Sequence, residues 1–221
     1  PRYRVLTWDL PGHGASEAVG GDRVSPEDLG AEALALVDHA GAGRFHFVGT
    51  SIGGVVGQQL IAAHSDRLLS ATLTNTGAVI GNAELWNTRA QRVRTEGLAA
   101  AAADIVPRWF APSAFEAEPG LEAGWCVHMG RGDDESYAQL CELLGRASVL
   151  GQFQGVASDA AAPKVCLFGG TEDQATPSAT LETLADELNG APLEILQGVG
   201  HVPSVEVPQL FAEELMKVLA V

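Results

Sequence analysis

The pentapeptide Gly49-Thr50-Ser51-Ile52-Gly53 stands between the apolar run Phe45–Val48 and the helix-like stretch Val55–Ala63. A strand must therefore turn into a helix within a few residues around one serine. Such a turn forces the serine backbone into a strained conformation, and small residues at Gly49, Gly53 and Gly54 let strand and helix approach without a Cβ between them. Ser51 is then presented at a strand's C-terminal end, the arrangement of a nucleophile elbow. A bare Gly-x-Ser-x-Gly match also occurs in connections with no chemistry, so the rest of the chain has to decide.

A strand feeding directly into a helix constrains its neighbours as well. Tyr3–Trp8 alternates and runs apolar into Asp9, which predicts a strand, and Pro11-Gly12-His13-Gly14 predicts a loop. Ser25 before Pro26, Glu27 and Asp28 has the character of an N-cap, opening a helix to about His39 that Gly41 and Gly43 close. The strand Arg44–Val48, the Ser51 turn with its helix, and a strand near Leu69–Thr74 follow. Alternating strands and helices imply a parallel sheet covered on both faces.

From Gly77 to about Ala157 helical patterns take over, at Ala83–Thr95, Leu98–Phe110 and Ser136–Leu150, and are read as an inserted helical cap. Alternation resumes with a strand at Val165–Phe168, a helix at about Pro177–Leu188, a strand at Leu193–Leu196 and a last amphipathic helix at Pro208–Leu219. The expected organisation is an α/β core of residues 1–76 and 158–221 with a cap of residues 77–157. Gly77, Gly81 and Gly155 are candidate hinges at its borders.

A serine hydroxyl is a weak nucleophile at neutral pH and needs a base within hydrogen-bond reach, itself oriented by an acid. In a parallel sheet both must come from loops at strand C-termini. Asp173 follows the strand Val165–Phe168 through Gly169-Gly170-Thr171-Glu172, and His201 follows Leu193–Leu196 through Gln197-Gly198-Val199-Gly200. Among the six histidines, His39 and His64 fall in helical patterns, His46 in a strand and His128 in the cap, so His13 is the one rival to His201. Glu172 is the rival to Asp173. The order Ser, Asp, His fits this architecture.

The 221 residues are 46% apolar, enough for a sizeable core, and 13 Lys and Arg stand against 28 Asp and Glu. The net charge of −15 opposes binding to nucleic acid or anionic membranes. Cys126, Cys141 and Cys166 show neither disulfide nor zinc spacing, which fits a reduced, cytoplasmic protein, and no apolar run approaches the ~20 residues of a membrane span.

On Asp9-Leu10-Pro11-Gly12-His13-Gly14-Ala15-Ser16, Gly49–Gly54, Asn75-Thr76, Gly170-Thr171-Glu172-Asp173 and Gly200-His201, the chain resembles the α/β-hydrolase superfamily along essentially its whole length. Trp86-Asn87-Thr88-Arg89 and Arg108-Trp109-Phe110 make it similar to the 3-oxoadipate enol-lactonases. The resemblance implies Ser51 as nucleophile, His201 as base and acid, Asp173 as its orienter and the Ile52 N–H as an oxyanion donor. It also implies a small lactone or ester substrate and no metal or organic cofactor. Arg89, Arg92 and Arg108 are candidates for the substrate carboxylate, with Trp86 and Trp109 as apolar walls. The rivals are a carboxylesterase, a carbon–carbon bond hydrolase, or a non-catalytic ligand-binding relative. Such hydrolases carry further strands and an oxyanion loop, the source of a second donor, before the strand ending at Asp9. Together with the non-initiator Pro1, this leads to the expectation of a piece of a longer protein.

Overall fold

The computed structural model describes residues 3–153 and 162–219. Its sheet is parallel throughout, in the order β1 (Phe45–Thr50), β2 (Leu68–Thr74), β3 (Lys164–Gly170), β4 (Leu193–Leu196). Chain order and spatial order coincide, so the C-terminal ends of β1 to β4 line one rim of the sheet.

Both faces of the sheet are covered, as the near-continuous apolar run of β3 requires. On one face Leu73 and Leu167 pack with Val56 and Leu60 of α2 (Ile52–Ala63) and with Leu181 and Leu184 of α8 (Ser178–Glu187). Helix α1 (Pro26–His39) joins this layer through Leu29 and Ala33, and its start is held by a reciprocal capping box between Ser25 and Asp28. On the other face Cys166, Phe168 and Leu196 pack with Phe211 and Val218 of α10 (Pro208–Leu219).

Between β2 and β3 lie α3 (Ala83–Glu96), α4 (Leu98–Ile105), α5 (Pro112–Ala117), α6 (Leu121–Met129) and α7 (Asp134–Arg146). They carry an apolar cluster of their own around Val93, Leu98, Ile105, Phe110 and Met129. The helix expected over Leu98–Phe110 stops at Ile105 and passes into the 3₁₀ turn Val106–Arg108, because Pro107 has no N–H to continue the ladder. That expected over Ser136–Leu150 starts two residues earlier, where Asp133 accepts from Ser136 N–H at 2.8 Å, and ends at Arg146. The proposed return to the core at 158 and the hinge candidate Gly155 lie outside the described residues.

One expectation is overturned. Tyr3–Trp8 is irregular chain rather than a strand, with Val5 and Leu6 exposed. Alternation supplies a face but not a ladder, and no described strand pairs with this segment. Tyr3 instead sets its ring edge-on to His46 and donates its hydroxyl to Leu219 C=O at 2.8 Å. β1 is left as an open edge on which Val48 is 41% exposed.

Candidate active site

Ser51 sits between β1 and α2 at φ 58° and ψ −116°, a conformation that side chains rarely adopt. Hydrogen bonds to its backbone hold it there. Its N–H donates to Thr74 C=O at 2.9 Å, while its own C=O accepts from Gly54 N–H at 2.8 Å and from Thr76 Oγ1 at 2.9 Å. Two of the three glycines are required by space: a Cβ at Gly49 would lie 2.3 Å from Gly53 C=O and one at Gly54 would lie 2.5 Å from Thr76 Cβ, whereas a Cβ at Gly53 would meet nothing within 4 Å. The Ile52 N–H opens α2 beside Ser51 with no acceptor among the described residues, free for an oxyanion.

Asp173 and His201 meet in the interior, 6% and 5% exposed. His201 Nδ1 lies 2.8 Å from Asp173 Oδ2. The same oxygen accepts from Thr176 Oγ1 at 2.6 Å and Asn75 Nδ2 at 2.9 Å, and Oδ1 accepts from the N–H groups of Ala175 and Thr176 at 2.8 and 2.9 Å. Burial pushes the Asp173 carboxyl up, but the hydrogen bond and charge of His201 and the bonds from Thr176 outweigh it and hold it below its ordinary value. An ionised Asp173 keeps the proton on Nδ1, which leaves Nε2 free to take one from a hydroxyl. Ser51 Oγ itself has no hydrogen-bond partner among the described residues, so the serine–histidine contact is not made here. Such contacts often tighten only with substrate in place.

The rivals are placed elsewhere. Glu172 is exposed at the surface. His13 holds Pro11 C=O of its own loop at 3.0 Å and lies against the Tyr137 ring. His46 is bonded to Ser70 Oγ at 2.7 Å within the sheet, and His64 ends α2 as its C-cap. Among the described residues no group of three or more His, Cys, Asp or Glu is placed to hold a metal ion.

Four of the five candidates carried by the helical segment converge. Trp86, Arg89, Arg108 and Trp109 line one small cavity of about 40 Å³ together with Ala175, two residues beyond Asp173. Arg89 lies over the Trp86 ring, 4.8 Å from its centroid, beside the Tyr137 hydroxyl and the Cys141 thiol. Arg108 donates to Gln174 C=O at 2.8 Å. Neither guanidinium has an acidic partner among the described residues. Arg92 differs: it pairs with Glu96 at 2.9 Å and Asp104 at 2.7 Å on the outer surface and is already neutralised there. A larger cavity of about 240 Å³, between the start of α1, α2 and the end of α7, contains none of these side chains.

Two residues that join the site have roles the sequence reading did not assign. Asn75, at φ 48° just past β2, donates through Nδ2 to Asp173 and, at 3.0 Å, to Gly200 C=O, so it ties the Asp173 loop to the His201 loop. Its place at a strand's C-terminal end beside Thr76 was the available signal. Thr176 closes the Asp173 turn on itself and comes within 3.2 Å of His201 Nδ1.

Comparison with known proteins places the chain in a family. The 3-oxoadipate enol-lactonase 2 of Acinetobacter baylyi is 34% identical over 220 residues, covering 98% of this chain and 79% of the relative. The crystal structure of the enol-lactonase from Burkholderia xenovorans LB400 superposes with a TM-score of 0.88 at 33% identity, over 96% of this chain and 79% of that one. A thermophilic esterase from Thermogutta terrifontis superposes with a TM-score of 0.82 at 25% identity, over 95% and 78% of the two chains. The family model described as the alpha/beta hydrolase family matches residues 1–214, and with the parallel sheet and the serine turn at its rim this chain belongs to that family.

Proposed function

We propose that the protein is a serine ester hydrolase that opens the ring ester of 3-oxoadipate enol-lactone, with residues 77–157 as its cap. The observation that carries the lactone reading is the state of the arginines on α3. Arg92 and Arg94 are spent on carboxylates of the protein, whereas Arg89 faces the cavity beside Trp86 and has no acidic partner among the described residues. In a chain of charge −15, a carboxylate substrate needs such a local cation. Small and lined by Arg89 and Arg108 between Trp86 and Trp109, this cavity is read as the subsite for the carboxylate, with the ring lying toward Ser51.

In this reading Ser51 Oγ attacks the ring carbonyl as its proton passes to His201 Nε2, and Asp173 holds the resulting imidazolium. The Ile52 N–H donates to the oxyanion. Collapse breaks the ring C–O bond and expels an enolate, a better leaving group than an alkoxide, which takes the proton from His201 and leaves the imidazole neutral again. A water deprotonated by His201 then attacks the acyl-enzyme; collapse breaks the bond to Ser51 Oγ, which regains its proton from His201, and 3-oxoadipate leaves after its enol ketonises.

A second reading, a carboxylesterase of broader choice, is favoured by the similarity to the thermophilic esterase. The two separate on relative kcat/KM for the enol-lactone and for a neutral aryl acetate. Preference for the lactone by about 100-fold or more supports the lactonase, since a charge-assisted contact contributes about 1.5–3 kcal/mol. Equal values, or preference for the acetate, support the esterase.

A further inference from the structure

The turn that carries His201 is fastened to the helical segment through one side chain. Glu206 lies on α9 (Pro203–Glu206), the short helix that follows His201. Gly200 N–H donates to both of its carboxylate oxygens, at 2.9 and 3.0 Å, and Ala111 N–H donates to Oε2 at 2.9 Å. Val202 N–H reaches Oε1 at 3.4 Å. Beside this contact His201 N–H donates to Trp109 C=O at 2.7 Å. The three segments touch with no room between them: a Cβ at Gly200 would lie 2.8 Å from Ala111 N and 2.9 Å from both Trp109 C=O and Glu206 Oε1.

Every hydrogen-bond partner of Glu206 is a backbone N–H, and none of its partners among the described residues is a cation. A carboxylate presents acceptors on both oxygens and so satisfies donors from two segments at once, where an amide would turn an NH₂ toward one of them. We infer that Glu206 is a positioning residue for the reaction: its carboxylate clasps Trp109–Ala111 to the His201 turn, so the stretch that lines the substrate cavity through Arg108 and Trp109 also sets where the imidazole stands. The inference rests on the reading of Ser51 as nucleophile and His201 as its base. Displacement of a catalytic group by about 1 Å can cost 10²-fold in rate, which is the scale on which a loosened clasp is felt.

The test compares the parent protein with Glu206→Gln and Glu206→Ala, all well below their melting temperatures. It measures the rate at which a fluorophosphonate labels Ser51, located by peptide mass spectrometry, and kcat and KM for an aryl acetate. Glu206→Ala is expected to slow labelling and lower kcat by about 10- to 100-fold while KM moves less than about threefold. Glu206→Gln, which keeps the size and one acceptor, is expected to fall between. A labelling rate and kcat within twofold of the parent in the near-isosteric Glu206→Gln and in any folded Glu206→Ala overturn the inference, whatever happens to the melting temperature. A change confined to KM overturns it too, because it assigns Glu206 to the cavity wall alone. If the parent is not labelled at Ser51, the nucleophile reading fails and this inference falls with it; if only the variants behave as the parent, the Glu206 inference falls alone.

Discussion

The sheet rim and the helical segment that faces it are held by different forces. At the rim, Ser51, Asp173 and His201 are fixed through short bonds to backbone and buried polar groups: Ser51 N–H on Thr74, Asn75 across two loops, Thr176 on Asp173. In the helical segment, α3 and α7 meet through apolar packing and exposed ion pairs, with Arg94 forked onto Glu135 at 2.7 and 2.8 Å and reaching Glu142 as well. Buried directional bonds leave a reacting atom little freedom. A helix pair held by packing and surface charge keeps its shape while the residues lining the cavity vary. Such a division lets one fold serve different substrates.

Substitutions at the rim should therefore act on turnover, and those in the helical segment on substrate affinity or only on stability. The largest effect is expected for Asp173→Asn, which keeps the shape but lets the imidazole take the wrong tautomer: kcat should fall about 10⁴-fold with the fold retained. The same variant tests the stability linkage. The Asp173 carboxyl is held below its ordinary value, so its contribution is present above the unfolded value near pH 4 and is lost as pH falls through the folded one. The parent should lose more melting temperature between pH 5 and pH 3 than Asp173→Asn does, and equal losses would contradict the assigned direction.

Asn75→Ala comes next. It removes two buried hydrogen bonds that join the acid and base loops, and should cost about 2 kcal/mol in denaturant unfolding and about 10-fold in kcat. A loss of stability with unchanged kcat would show that the two loops keep their register without it. Arg89→Met sharpens the contrast from the other side. KM for the enol-lactone should rise about 10- to 100-fold with kcat nearly unchanged, and a neutral aryl acetate should not notice the substitution. A kcat loss as large as that of a rim residue would break the comparison. The smallest effect belongs to Arg94→Ala, an exposed network expected to contribute about 0.5–1 kcal/mol that shrinks in high salt, read by urea unfolding at two ionic strengths.

What could be read from the sequence follows the same division. The serine turn, the N-cap at Ser25 and the ends of β4 and α10 are local: each is written in a few adjacent residues, and the structure has them where the chain predicts. Asp173 and His201, read as partners from the chain alone, do meet, because a parallel sheet brings its strand ends to one rim, and Ser51 stands at the end of β1 on that same rim. The strand predicted at Tyr3–Trp8 shows the limit of pattern, since pairing is a property of two segments and periodicity describes one. Asn75 and Glu206 were missed because each joins segments about a hundred residues apart, Asn75 reaching the Asp173 carboxylate and Gly200 C=O and Glu206 reaching Ala111 N–H, which no local spacing reveals. The arginines of α3 were separable only in three dimensions, where Arg92 proved to be paired and Arg89 turned toward the cavity.

The central claim, that Ser51 is the nucleophile of an ester-opening site completed by His201 and Asp173, is tested most directly by the rate of 3-oxoadipate enol-lactone hydrolysis in the parent protein and in Ser51→Ala. Turnover by the parent that falls at least about 10⁴-fold in the variant is the predicted result. A Ser51→Ala protein that keeps a tenth or more of the parent's rate would contradict it.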